Sequence, residues 1–253
     1  MNELFPPMSS KPSKSRIIFL IPFWLWAFVL FPMFMPFVGL DLWDQWELSV
    51  WLEIAYHVAN GIALFFFMFS YLKDEWFMLT TDVRHYLKHI ALTAGLMLGA
   101  ELVLLGTLFL CRFDITYLLE NLPISEMSVS HTSLFLIQLQ PIIGTIVLSV
   151  FAPFSICILF YCLGFAPVCN KKPWLAYLCV VGLTLIPPII NILWRDEVVL
   201  SLCGFLVQLP IHLLACWSYQ KTDNVWTPLI TLTVTNLLLS ILLPILFPIS
   251  MYL

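Results

Sequence analysis

Tyr219-Gln-Lys-Thr-Asp-Asn-Val-Trp-Thr-Pro-Leu-Ile-Thr-Leu-Thr-Val-Thr-Asn236 places a short polar turn between two apolar runs, Val198 to Tyr219 before it and Val225 to Pro248 after it. Each run is long enough for a helix that crosses a hydrocarbon core, which takes roughly 20 mainly apolar residues. The same rhythm of apolar run and short charged break extends back to the N-terminal end. It predicts five earlier spans, Ile17 to Leu40, Leu48 to Leu72, Ile90 to Cys111, Leu139 to Leu163 and Trp174 to Trp194. Around the fourth, Phe135 to Cys169 is apolar for longer than one span needs and contains Pro141, Pro153 and Pro167. A kinked helix or an interfacial lead-in would take up the surplus.

Composition agrees with this pattern. With 61% hydrophobic and 10% charged residues over 253 positions, and a mean hydropathy of +0.97, a soluble globular domain is excluded. The expectation is an all-α, polytopic membrane helix bundle of about seven spans forming a single integral-membrane domain. Neither Lys73 to His89 nor Arg112 to Ser133 is long enough to fold alone, and the tail up to Ser15 reads as a disordered lead-in. Met1 to Leu40 lacks a small-residue cleavage site and reads as a retained first helix. Lysine and arginine set the orientation. With the N-terminus cytoplasmic, Lys11, Lys14, Arg16, Lys73, Arg84, Lys88, Lys171, Lys172 and Lys221 fall inside, and Arg112 and Arg195 outside. The acidic residues Asp41, Asp44, Glu47, Asp114, Glu120, Glu126, Asp196 and Glu197 then lie on the outer face, and the C-terminus with them.

The opening stretch also has a specific form. Tyr219, Lys221, Thr222 and Asn224, followed by Trp226, Pro228 and Asn236, resemble the C-terminal signature of the CPBP family, the CAAX-protease and bacteriocin-processing (Abi-type) glutamic intramembrane endopeptidases. That family carries Tyr-x-Lys-Thr-x-Asn leading into Trp-x-Pro-x-x-x-His-x-x-x-Asn; here Leu232 stands at the histidine. In Ala152 to Cys162, aligning Pro153 and Phe160 on the family's Pro-x-x-Glu-Glu-x-x-Phe-Arg-Gly puts Ile156 and Cys157 at the two glutamates, Tyr161 at the arginine and Cys162 at the glycine. A further Phe-x-x-x-His element has no histidine to match it in Gly182 to Ile190. Tyr71-Leu-Lys-Asp-Glu-Trp76 is similar to a Leu-Lys-x-x-Trp junction of Abi-type members. The resemblance covers about residues 64–242. It implies a helical membrane fold whose hydrolytic groups are gone, because water activation needs a carboxylate that neither Ile156 nor Cys157 supplies.

Ionisable residues inside a bilayer are costly, so each asks for an explanation. Glu53, His57 and Asn60 share a helical face, Glu101 sits near the middle of the third span, and His212 lies in the inner part of the sixth. With Asn236 these form a candidate intramembrane polar site, and a relocated glutamate and histidine pair would keep proteolysis conceivable. The plainer expectation is structural: Glu53 reaching interfacial water, Glu101 protonated, His212 bonded to a neighbouring helix such as that of Asn236. His85 and His89 flank Lys88 on a segment, Phe77 to Leu87, that reads as a surface helix at the anionic leaflet rather than a metal site. His131 falls in an outer loop. The seven cysteines lack Cys-x-x-Cys spacing and read as packing residues, with Cys169 a conceivable palmitoylation site. The ten tryptophans read as interfacial anchors. Pro187-Pro188 predicts a kink or break in the fifth helix.

Two functional classes follow. One is a non-catalytic relative of the intramembrane proteases that binds transmembrane helices of a partner; bacteriocin immunity and regulation of membrane partners are the roles the resemblance implies. The other is a transporter or transporter accessory subunit built around Glu53, His57, Glu101 and the Pro187-Pro188 break, with retained endopeptidase activity a third. The expected partners are the lipid bilayer and another membrane protein, not nucleic acid, with no cofactor or metal. The expected location is the bacterial cytoplasmic membrane.

Overall fold

The computed structural model describes residues 14–30, 46–110, 139–169, 172–195 and 198–246. Among the described residues every regular element is helical and no strand occurs. Helix α1 is Lys14–Leu25, continued by a π-helical stretch Trp26–Leu30; α2 is Trp46–Thr81 and α3 is Val83–Leu110. Helix α4 runs over Leu139–Ile156, widens into a π-helix over Cys157–Phe165 and returns to α-geometry over Ala166–Cys169. Helices α5, α6 and α7 are Pro173–Arg195, Val198–Thr222 and Trp226–Leu246. Four of these rods contain stretches long and apolar enough to cross a membrane: Ile54–Thr81, Val83–Thr107, Ser149–Cys169 and Ser201–Thr222. Shorter apolar stretches lie in the other three, Arg16–Leu25, Pro173–Ile186 and Trp226–Leu242.

Helix α4 is the centre of the bundle. Its outer half packs along α2 and α7, and its π-helical half is enclosed by α1, α5 and α6. Helices α3, α5 and α7 each lie against α6, and α3 also packs on α7. The buried positions of α2, Ile54, His57, Asn60, Leu64, Met68, Tyr71, Leu72, Glu75 and Leu79, recur every three or four residues and so form one face. Helices α2 and α4 approach closely at Gly61, where an added Cβ would collide with the ring of Phe151. A second close approach joins α4 to α5, where a Cβ on Gly164 would come within 2.6 Å of Leu183. Small residues let helix backbones meet in this way where no water is available to drive association.

Several expectations need correction. Residues 77–87 form no separate surface helix: α2 continues to Thr81, and Asp82 alone separates it from α3, accepting the His85 N–H through its carbonyl at 3.1 Å. At 36 residues α2 is about 54 Å long, well beyond one bilayer core. Helix persists through the described part of the apolar surplus, from Leu139 to Cys169, with a π-helical stretch over Cys157–Phe165 whose i→i+5 bonding holds more residues per turn. Helix α5 runs through Pro187-Pro188 without a break. Helix already begins at Lys14, inside the expected tail. Trp24 is no interfacial anchor; it belongs to the core that encloses α4. The expected end of the first span, the Arg112 to Ser133 loop with His131, and the C-terminus lie outside the described residues, as do the side chains of Glu47 and Glu53.

Candidate functional site: an inner clamp and a closed core

The turn between α6 and α7 is fastened to the C-terminal part of α2. Asp223, at φ 46°, takes the left-handed conformation that ends α6, one that Asn and Asp tolerate better than most residues. Asn224, fully buried, then caps α7: its Oδ1 accepts the Trp226 N–H at 2.9 Å while its Nδ2 donates to the Glu75 carbonyl at 2.7 Å. The next free amide, Val225 N–H, donates to Glu75 Oε2 at 3.2 Å. Pro228 has no N–H to satisfy, so it fits the first turn of a helix. Trp226 completes the join, donating from Nε1 to the Leu72 carbonyl at 2.9 Å and setting its ring edge-on to Trp76 at 5.0 Å. Glu75 itself is 1% exposed, and the buried Tyr71, Tyr219 and Cys162 surround its approach to the core. Tyr177 donates to Gln220 Oε1 at 2.9 Å and ties the same turn to α5.

Glu75 is the residue sequence reasoning missed. In Lys73-Asp74-Glu75-Trp76 it reads as one more cytoplasmic charge; only its three-to-four-residue spacing from Leu72 and Tyr71 signals a buried face. The threonines of α7 also went unread. Thr227, Thr231 and Thr235 are fully buried at four-residue spacing, Thr231 bonding the Thr227 carbonyl at 2.7 Å and Thr235 reaching Met97 Sδ at 3.7 Å.

The second half of the site is the core that the resemblance would make catalytic. Cys157, Tyr161 and Leu232 do come together in one buried cluster with Phe160, Ile158 and Leu229, while Ile156 and Asn236 stay part-buried at its margin. A buried carboxylate, Glu75, borders this cluster and acts on its Tyr71, Cys162 and Tyr219, while Ile156 and Cys157 stand at the two positions where the resemblance would place glutamates. His212 enters the cluster from α6 and lies flat on Phe160, centroids 5.3 Å apart and planes 7° apart. Its Nδ1 has no hydrogen-bond partner among the described residues, so the expected bond to Asn236 gives way to ring stacking. The Tyr161 hydroxyl likewise finds no partner there.

The remaining polar residues are dispersed. Asn60 donates to Ser155 Oγ of α4 at 3.2 Å, and His57 stands edge-on to Tyr56 at 5.0 Å, both in the outer half of α2. Glu101 is buried in α3, its Oε2 without a hydrogen-bond partner among the described residues. Glu101 and His212 are therefore not joined into an acid and base pair. Among the described residues no group of three potential metal ligands converges. Cys169, the conceivable acylation site, is buried at 5% exposure and faces inward with Cys216. Comparison with family models, with curated proteins and with solved structures gave no match.

Proposed function

We propose that this chain is a non-catalytic membrane adaptor, related to the CPBP intramembrane proteases, that binds transmembrane helices of a partner membrane protein. The observation that supports the reading is the contrast between its two halves. The two segments that resemble family signatures, Tyr71 to Trp76 and Tyr219 to Trp226, are locked to each other by three hydrogen bonds and ring contact. The positions of the lost acids and arginine are held by Ile156, Cys157 and Tyr161 in a close-packed core, and the carboxylate that borders it, Glu75, is engaged by the Val225 N–H. Scaffold geometry of this kind needs packing and backbone bonds alone, whereas hydrolysis needs charged groups at the reacting atoms. Bacteriocin immunity and partner regulation are the roles that fit such a scaffold.

The same reading takes all seven rods as membrane spans in a cell membrane, with the N-terminus and the clamp on the cytoplasmic side. Its support is the lysine and arginine asymmetry together with the apolar stretch in each rod.

Proteolysis tests it first. The parent protein in lipid, offered labelled membrane-peptide substrates, is expected to cleave none of them, and so are Glu101→Gln and His212→Ala. Cleavage by the parent that either variant abolishes overturns the adaptor reading. Photocrosslinkers at the exposed Leu238 and Ile241 of α7 are expected to capture a partner's transmembrane segment in cells. Capture of lipid alone at both positions would count against it.

A further inference from the structure

Where the Val83 end of α3 meets the Thr222 end of α6, two lysines and two histidines gather. His89 lies 4.7 Å from His85 and 6.5 Å from Trp217, measured between ring centroids, so the three rings form one wall. Around His89 stand His85, Lys88 and Lys221, all basic residues. Lys221 stands one helical turn beyond Trp217 on α6, which brings it level with His85 on the antiparallel α3. The nearby acids face elsewhere. Asp82 Oδ1 caps the His85 backbone N–H at 3.3 Å, and Glu75, Asp82 and Asp223 act on Tyr86 instead of His89. His89 Nδ1 is shielded and has no hydrogen-bond partner among the described residues. The site lies at the inner ends of two long apolar stretches, Val83–Thr107 and Ser201–Thr222, at headgroup level if these cross the membrane.

We propose that His85, Lys88, His89 and Lys221 bind the phosphate of an anionic phospholipid headgroup, with Trp217 against the glycerol region. Clustered donors of one sign beside an interfacial aromatic suit a phosphodiester, and each lysine near such a surface contributes appreciably to anionic-lipid binding. This does not depend on the adaptor reading.

The test is native mass spectrometry of delipidated protein incubated with phosphatidylglycerol, with phosphatidylcholine and with inorganic phosphate. The parent is expected to retain phosphatidylglycerol in preference to phosphatidylcholine. Lys88→Ala with Lys221→Ala, and separately His85→Ala with His89→Ala, should lower that retention about tenfold. Lys73→Ala with Lys172→Ala removes the same charge from other exposed positions and should leave retention unchanged. Equal retention of both lipids, an equal loss in all three double variants, or saturable binding of inorganic phosphate without lipid preference would each overturn the headgroup assignment.

Discussion

A carboxylate buried at the end of a membrane helix has to be offset by donors, and for Glu75 these come from the start of α7. Its side chain takes the Val225 N–H and its carbonyl takes the Asn224 amide, so one residue holds two atoms of the opposite turn. Negative charge beside the first turn of α7 also complements the helix dipole. Asn224→Ala removes the cap and the bond to Glu75 together and is expected to cost about 2 kcal/mol. Glu75→Gln keeps an acceptor for Val225, so it should cost less than Glu75→Ala, which strands a buried N–H. Thermal unfolding in detergent, followed by fluorescence-detected size exclusion, orders the three variants. Equal losses for Gln and Ala at position 75 would show that the acceptor is immaterial. Trp226→Phe should retain most of the edge-on contact with Trp76 while losing the bond to the Leu72 carbonyl, at about 1 kcal/mol.

At the scale of elements, hydropathy located both ends of α5 and α6 and the start of α7 within three residues, because burial in lipid or in protein selects the same residues over a whole helix. It could not locate the break between α2 and α3, since charged Lys73, Asp74, Arg84 and Lys88 decorate an exposed face without ending a helix. The π-helix of α4 was legible only as surplus length. Nothing in Cys157 to Phe165 marks the change of hydrogen bonding, which is favoured by the fully enclosed packing of Ile158, Tyr161, Cys162 and Phe165. The clamp was half legible: Asn224 and Trp226 stood out as matched positions, but their partners lie far away in sequence. Deleting the part-buried Leu163 should restore α-helical bonding and rotate the Ala166–Cys169 end by about 100°. In a background where Cys169 is the sole cysteine, maleimide labelling should then rise from protected to rapid. Unchanged protection would mean that the π-helix is not set by residue number.

For the molecule as a whole, orientation is the property most open to measurement. Single cysteines at Lys172, just before α5, and at Arg195, its last residue, should label from opposite sides of sealed vesicles, Lys172 from the cytoplasmic side. Labelling of both from one side would remove α5 from the set of spans and reverse everything after it. Exposed apolar residues such as Phe66, Leu96, Val103 and Leu206 do not by themselves mark a partner face, since lipid and a partner helix select similar residues.

The clamp links residues 149 to 154 positions apart, with four helices between its halves. During synthesis Leu72 and Glu75 therefore enter the membrane long before Asn224 and Trp226 exist. Until α7 is made, Glu75 lacks the Asn224 and Val225 donors, and the surface that receives the turn stays uncovered. Closure of the clamp thus requires that the chain be made through Trp226, the first residue of α7, so a truncation anywhere before that helix leaves the fold unfastened at this end.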